Sequence, residues 1–281
     1  MLDILSLLQK SGLRDWGICS FDQIRPFLLK CRAANRLPEN AMSVLMTVFP
    51  YHVECGAHNI SRYAIPPDYH TVAGVYLERA CKLLREAFPA EKFVWFADNS
   101  PIPEVRAAAL CGLGVVGLHT LLITPRYGSW VFLGEIVTSL SLPVTGKEIQ
   151  ACSLCGNCRT ACPGNALRQS GLQTAQCLSH ISQKKGELTA WEQDVLRKGG
   201  SAWGCDLCQE VCPMNHTGEE TYLPEFREKL FPLILPGQSQ AIQNRAFHWR
   251  GPKIIERNLK ILAEEPISHQ KIADSDPNHF A

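Results

Sequence analysis

Between Met1 and Val137 the spacing of apolar positions changes period repeatedly, and each change predicts an element. Leu2, Leu5 and Leu8 recur at helical intervals within Met1–Lys10, and Gly12 follows where such a helix would close. Ser43–Phe49 and Phe93–Ala97 are short apolar runs rich in β-branched and aromatic residues, the composition of buried strands. Between them Val72, Val75, Tyr76, Ala80, Leu83, Leu84 and Ala87 return at helical spacing. Leu121–Thr124 and Trp130–Val137 predict two more strands, parted by the turn-like Pro125–Gly128. Strand, helix and strand in this order point to an α+β or α/β layer.

The pattern breaks after Ser141–Gly146, and from Ala151 to Pro213 cysteines dominate. A domain boundary is therefore expected near residue 147, with units at 1–146, 147–220 and 221–281. The last unit opens as an irregular connector with three prolines in Thr221–Gly237. A helix is expected over Lys253–Glu264, then a polar, loose stretch over Asp274–Ala281.

Composition narrows the function. With 46% hydrophobic and 20% charged residues the chain has ordinary globular values, and a net charge of +1 lacks the field of a protein that grips nucleic acid over a wide surface. Any RNA contact must be local. Met1–Gly12 does not have the layout of a signal peptide, and no segment approaches the ~18 apolar residues of a membrane span. The expectation is a cytoplasmic monomer with no membrane partner. Thirteen cysteines in such a chain point to metal ligation and redox chemistry before disulfides.

Cys152, Cys155, Cys158 and Cys162, followed by Pro163, spell C-x2-C-x2-C-x3-C-P. A tight loop of this form aims three thiolates at one iron–sulfur cubane, while the fourth cysteine points to a second cluster. Cys205, Cys208 and Cys212 with Pro213 repeat the last three positions, and Cys177 is the nearby cysteine left to complete the set. The pairing expected is crossed: Cys152, Cys155, Cys158 and Cys212 for one 4Fe-4S cluster, Cys162, Cys177, Cys205 and Cys208 for the other. Zinc is the competing reading, because C-x2-C pairs also build tetrahedral zinc sites. Cys19, Cys31, Cys55, Cys81 and Cys111 are scattered and read as small hydrophobes. Such clusters move single electrons, and the roughly 145 residues ahead of them suffice for a domain that receives those electrons.

Three further stretches stand out: Ile60–His70, Ala97–Pro101, and Gly112–Thr120 leading to Tyr127–Glu135. Together with the cysteine pattern they resemble the epoxyqueuosine reductase family, cobalamin-dependent iron–sulfur enzymes of queuosine-tRNA synthesis, from the N-terminus to about Asn215. The resemblance implies an α+β fold, a nitroreductase-like cobalamin-binding domain followed by a bacterial-ferredoxin-like two-cluster domain. It also implies an enzyme in which the clusters reduce cobalt, and cobalt reduces an epoxide on the modified base to the alkene. An external low-potential electron donor and tRNA are the implied partners.

Asp98 matches the family's catalytic acid. Without the resemblance, Asp98-Asn-Ser-Pro101 ahead of the helical Glu104–Leu110 reads as a turn and cap. The neighbours Trp95 and Phe96 predict an apolar setting that raises the Asp98 carboxyl pKa. Gly112, Gly114 and Gly117 form G-x-G-x-x-G, yet a helical pattern precedes them and Pro125 follows, so a dinucleotide site is rejected. The resemblance instead lays this loop, with His119 and Thr120, against the corrinoid, together with Gly128 and Ser129. Arg62, Tyr69 and His70 are candidates for corrin or substrate contact, with an ordinary surface or core role equally open.

Several features depart from the family. The glycine loop reads Gly117-Leu-His-Thr120 where the family usually has Gly-Lys-x-Thr, and Cys31–Asn40 is short. The reading is a short form without the C-terminal helical-repeat domain that helps larger members hold tRNA. Arg245, Arg250, Lys253, Arg257 and Lys260 form a basic run that reads as a solvated face. Two other functions stay open: a corrinoid-linked electron-transfer or activating protein with no organic substrate, and a ferredoxin-like carrier whose front domain serves for docking.

Overall fold

The computed structural model describes residues 4–146, 148–216, 218–238 and 242–264. The front of the chain runs through helix α1 (Ile4–Ser11), strand β1 (Trp16–Ser20), the single turn α2 (Phe21–Ile24), strand β2 (Ser43–Pro50) and the long helix α3 (Tyr69–Ala87). Strand β3 (Phe93–Phe96), helix α4 (Glu104–Leu110), the short strands β4 (Val115–Val116) and β5 (Leu122–Ile123), and strand β6 (Val131–Thr138) follow. Four strands form one sheet in the order β1-β2-β6-β3, with every neighbouring pair antiparallel.

Strand β2 is buried along its whole length because both faces of the sheet are covered. Leu45 and Phe49 face the layer of α1 and α3, where Leu8, Val72, Leu77, Ala80 and Leu84 pack. Val44, Met46 and Val48 face the opposite layer, built from α2 and α4 with Phe21, Ile24 and Ala107–Leu110. Side chains alternate across a strand, so a continuous apolar run fills both cores. Each fully buried Leu or Val contributes roughly 1.5–3 kcal/mol.

Every element expected from the apolar pattern is present, including the N-terminal helix over its described part. Strand β1 was not expected. Trp16-Gly-Ile-Cys-Ser is short and interrupted by a glycine, yet it pairs with β2 throughout. Gly17 is there for close approach: a Cβ would lie 2.3 Å from the Cys111 carbonyl oxygen.

The cysteine-rich segment adds the single turn α5 (Asn157–Thr160), the hairpin β7 (Leu167–Arg168) and β8 (Gly171–Leu172), α6 (Leu178–Ser182), α7 (Ala190–Gly199) and the single turn α8 (Leu207–Glu210). Helix α9 (Pro252–Ala263) is the last described element. Thr221–Gly237 is irregular apart from a 3-10 turn at Pro224–Phe226, as its prolines suggest. Its apolar residues nevertheless belong to the cores. Leu223 and Phe226 join the α1/α3 layer, and Ile234, Phe247, Ile254 and Ile255 pack with Ile60, Ile65 and Trp203. The stretch Asp274–Ala281 lies outside the described residues.

The basic run is only in part the solvated face expected: Lys253 and Lys260 are exposed, while two of its arginines turn inward. The Arg245 guanidinium is buried and donates to the carbonyls of Ile65 and Lys229, and Arg257 donates to those of Lys184 and Gly186. Five donors per guanidinium let these two arginines tie loop carbonyls that have no strand or helix partner.

Candidate functional site

The two cysteine loops adopt the same local form. Each ends in a single helical turn, α5 after Gly156 and α8 after Asp206, and these turns lie against each other. A left-handed Gly156 (φ +84°) lets the first loop reverse tightly enough to bring Cys152, Cys155 and Cys158 near one another. Cys212 is buried at the end of the second loop. Backbone amides of Leu118 and Ala166 donate to the sulfurs of Cys152 and Cys162 at 3.3 and 3.2 Å. Leu118 stands where the resemblance would place a lysine, and its main chain supplies the contact to Cys152.

Cys162, Cys177, Cys205 and Cys208 line one cavity of about 400 Å³. Burial pushes the Cys205 thiol up to about 12, and burial with the neighbouring Cys205 and Cys177 pushes Cys208 up as well. Thiols so placed ionise when a metal supplies the compensating charge, which suits a metal-ligand set. Among the described residues no three His, Cys, Asp or Glu side chains converge closely enough for a single ion. A cubane holds its thiolates farther apart than one ion does. Of the scattered cysteines, Cys19, Cys81 and Cys111 are buried in the front cores, and Cys31 and Cys55 pack at core edges.

The other walls of the cavity come from the front of the chain. Tyr51, Tyr69, Phe132 and Leu133 supply apolar surface, and the turn between β4 and β5 supplies His119 and Thr120. His119 is held neutral, its pKa lowered to about 4 by burial. Its Nδ1 accepts the Leu121 amide at 3.3 Å, which leaves the proton on Nε2, and Nε2 is buried without a partner among the described residues. An apolar cavity with one unanswered donor fits a large, mostly apolar ligand.

Two loops fix the cavity against the cysteine loops. The Asp206 carboxylate accepts the Ser61 hydroxyl and the Arg62 amide at 2.5 and 2.6 Å. The Ser129 hydroxyl donates to Gln209 at 2.9 Å, while Asn215 accepts the Ser129 amide at 2.7 Å. Neither contact was anticipated, since nothing in the sequence pairs residues so far apart.

Of the expected corrinoid contacts, Tyr69, His119, Thr120 and Ser129 line the cavity. Arg62 stands beside Cys55 and over the Trp130 ring, flanked by the lining residues Ser61 and Tyr63. Gly112 faces a different hollow with Arg14 and Asp15, Gly114 packs on the Ile123 carbonyl, Gly117 covers the His119 ring, and Gly128 abuts Asn215. These four glycines shape loops rather than line the cavity.

Asp98 and His70 sit beside the Tyr69 ring. Tyr69 stacks between His70 and Phe132, with both centroids 4.0 Å away. His70 donates from Nδ1 to Asp68 at 2.6 Å and from Nε2 to Asp98 at 3.3 Å. Two carboxylate acceptors require both ring nitrogens to be protonated, and these bonds raise the His70 pKa to about 9. The same contact lowers the Asp98 pKa. The expected rise is therefore corrected. Trp95 turns away to donate to Glu78, Phe96 is buried in the sheet, and Asp98 is exposed against an imidazolium.

Two carboxyls behind Asp98 escaped the sequence analysis. Glu104 accepts the Asp98 amide at 3.2 Å, and burial with the Asp98 charge raises its pKa to about 7. Glu135, fully buried in β6, is pushed far above its ordinary range by burial and by Glu104. The available signal was a glutamate inside the otherwise apolar Trp130–Val137 run.

Fold and site together define an α+β redox protein whose cysteine loops form a 4Fe-4S double cluster binding domain, the family that residues 151–215 match. The chain is 35% identical to the epoxyqueuosine reductase of Listeria monocytogenes over 207 residues, 69% of this chain and 54% of that protein. It is 32% identical to that of Lactococcus garvieae over 221 residues, 75% of this chain and 62% of that one. It belongs to the epoxyqueuosine reductase family. The chain spans about half to three fifths of the length of these relatives.

Among solved structures, epoxyqueuosine reductase from Streptococcus thermophilus superposes with a TM-score of 0.77 at 22% identity, covering 93% of this chain and 80% of that one. An epoxyqueuosine reductase bound to an epoxyqueuosine-modified tRNA stem loop gives 0.75 at 21% identity, covering 92% and 79%. These establish the shared fold. No helix among the described residues is long and apolar enough to cross a membrane.

Proposed function

We propose that this chain is a cobalamin-dependent reductase that removes the oxygen of an epoxide, the epoxide being epoxyqueuosine in a tRNA anticodon stem. One observation carries the reading: Cys162, Cys177, Cys205 and Cys208 line the same cavity as Tyr69, Phe132 and His119. A cluster held by those four thiolates would border whatever fills the cavity, while Cys152, Cys155, Cys158 and Cys212, which would hold the other, are not among its lining residues. Bound cobalamin would supply the low-potential cobalt that takes electrons from the nearer cluster and delivers them to carbon.

The chain's own residues do the rest. Tyr69, Phe132 and Leu133 give the cavity apolar walls, and His119 and Thr120, which also line it, would be the polar groups near a bound cofactor. His70 and Asp98 hold a proton beside Tyr69, itself a lining residue of the cavity, for the departing oxygen. The electrons come from an external low-potential one-electron donor. The relatives' names favour the queuosine substrate, and one neighbour was solved with a modified tRNA stem loop.

The test is anaerobic reconstitution with iron, sulfide and cobalamin, then a strong reductant and epoxyqueuosine, free and within an anticodon stem loop. Mass spectrometry should show the deoxygenated base. Turnover of neither form removes the queuosine assignment. Asp98→Asn should abolish deoxygenation while cluster reduction survives; loss of both would favour a structural role for Asp98.

A further inference from the structure

Converting an epoxide to an alkene and water consumes two electrons and two protons. The cluster chain accounts for the electrons, but the His70–Asp98 pair exposes a single proton. The second comes either from solvent, to which Asp98 is exposed, or from a protein group behind the pair.

Behind Asp98 stands a linked pair of carboxyls. Strand β3 runs beside β6 with Phe96 opposite Glu135, so the chain leaving β3 places Asp98 just beyond the Glu135 side chain. Helix α4 begins at Glu104, whose carboxyl accepts the Asp98 amide at 3.2 Å and lies against that of Glu135, whose two buried oxygens have no hydrogen-bond donor among the described residues. Glu135 is 0% exposed. Two carboxylates in contact, one wholly out of water, cannot both ionise, so the pair retains a proton.

The charged and titratable groups facing the pair are few. Asp98 and His70 face Glu104, Tyr69 lies beside it, and Asp98 and Ser100 face Glu135. The nearby arginines are engaged elsewhere: Arg106 stacks on Phe27, and Arg36 stacks on Phe96 while donating to the Trp95 carbonyl.

We propose that Glu104 and Glu135 form a proton store that refills the His70–Asp98 pair with the second proton of the deoxygenation. The inference rests on the reductase reading above. In the first transfer the pair protonates the epoxide oxygen as its carbon–oxygen bond breaks. Glu104, which faces both Asp98 and His70, then returns a proton to the vacated pair, and the refilled pair releases the oxygen as water. That refill runs downhill, from a carboxyl near 7 to an imidazole near 9. Glu104 and Glu135 are positioning and proton-supplying residues; neither touches substrate.

Infrared difference spectroscopy on the cluster-loaded, cobalamin-free protein provides the first readout. A protonated-carboxyl band should be present at pH 6, diminish as pH passes about 7, and be lost or displaced in both E104Q and E135Q. Iron content and the cluster spectrum identify a variant that has failed to fold, and E104Q, at a half-buried helix start, keeps the test alive if E135Q does. In the loaded enzyme, E104Q should lower kcat by about tenfold or more with KM unchanged, and should abolish the fall in kcat above about pH 7. A wild-type protein that deoxygenates the epoxide without showing the band overturns the store alone, as does an E104Q variant with unaltered kcat and pH profile. One that shows the band but reduces no epoxide overturns the reductase reading, and the store's role with it.

Discussion

The Asp206 carboxylate accepts the Ser61 hydroxyl at 2.5 Å and the adjacent Arg62 amide at 2.6 Å, across 145 residues of chain. Asp206 lies between Cys205 and Cys208, so this contact sets how the second cysteine loop meets the cavity. Asp206→Ala leaves a buried hydroxyl and a buried amide unanswered and should cost about 1–3 kcal/mol. Thermal unfolding of the cluster-loaded protein measures it. Ser61→Ala, which removes one donor and leaves the amide bond, should cost less.

The proposed crossed ligand sets make a sharp prediction about metal content. Cys177 stands outside both three-cysteine loops, yet it lines the cavity with Cys162, Cys205 and Cys208. Cys177→Ser should reduce iron from about eight to about four per chain, with one reduced-cluster signal remaining by electron paramagnetic resonance. Cys81→Ser, in the α3 core, should leave iron unchanged and lower stability only. Two zinc ions in anaerobically purified protein would contradict both ligand sets.

His70 has a pKa raised to about 9 against an ordinary 6.5, so the folded state binds its proton more tightly than the unfolded chain. Its contribution to stability is complete below pH 6.5 and disappears as pH rises through about 9. The midpoint of thermal unfolding should therefore fall across that window, and the fall should be shallower in His70→Gln. Both partners are partly exposed, so salt should reduce the difference.

How much of this was legible in the sequence depended on the range of the interaction. Strand β2 was readable as a continuous apolar run, helix α3 because its apolar positions recur at helical spacing, and the cysteine loops because each is confined to at most eleven consecutive positions. The Asp98 pKa was misjudged because the neighbours in sequence, Trp95 and Phe96, are not the neighbours in space. Strand geometry sends them to opposite faces, and His70, from the start of α3, takes the place beside the carboxylate. Glu104 and Glu135 were missed for the same reason: their pairing exists only once β6 lies beside β3. Arg245 and Arg257 read as surface charge, because carbonyls left free by irregular loops leave no mark in the sequence.

Gly128 has φ +57°, and a Cβ there would lie 2.2 Å from Asn215 Oδ1, the atom that accepts the Ser129 amide. Gly128→Ala therefore incurs both the left-handed backbone penalty, about 1–2 kcal/mol, and displacement of Asn215. Gly186, at φ +78° with nothing within 4 Å, isolates the first cost. Gly186→Ala should lower the unfolding free energy by the backbone penalty alone and leave electron delivery untouched. Gly128→Ala should lower it further and, because Asn215 also holds the Gln209 carbonyl at 2.8 Å, should shift the second cysteine loop relative to the cavity. Stopped-flow reduction of the cavity-bound cofactor should then slow in Gly128→Ala at full iron loading; equal rates in the two variants would show that this contact stabilises the fold without setting the electron path.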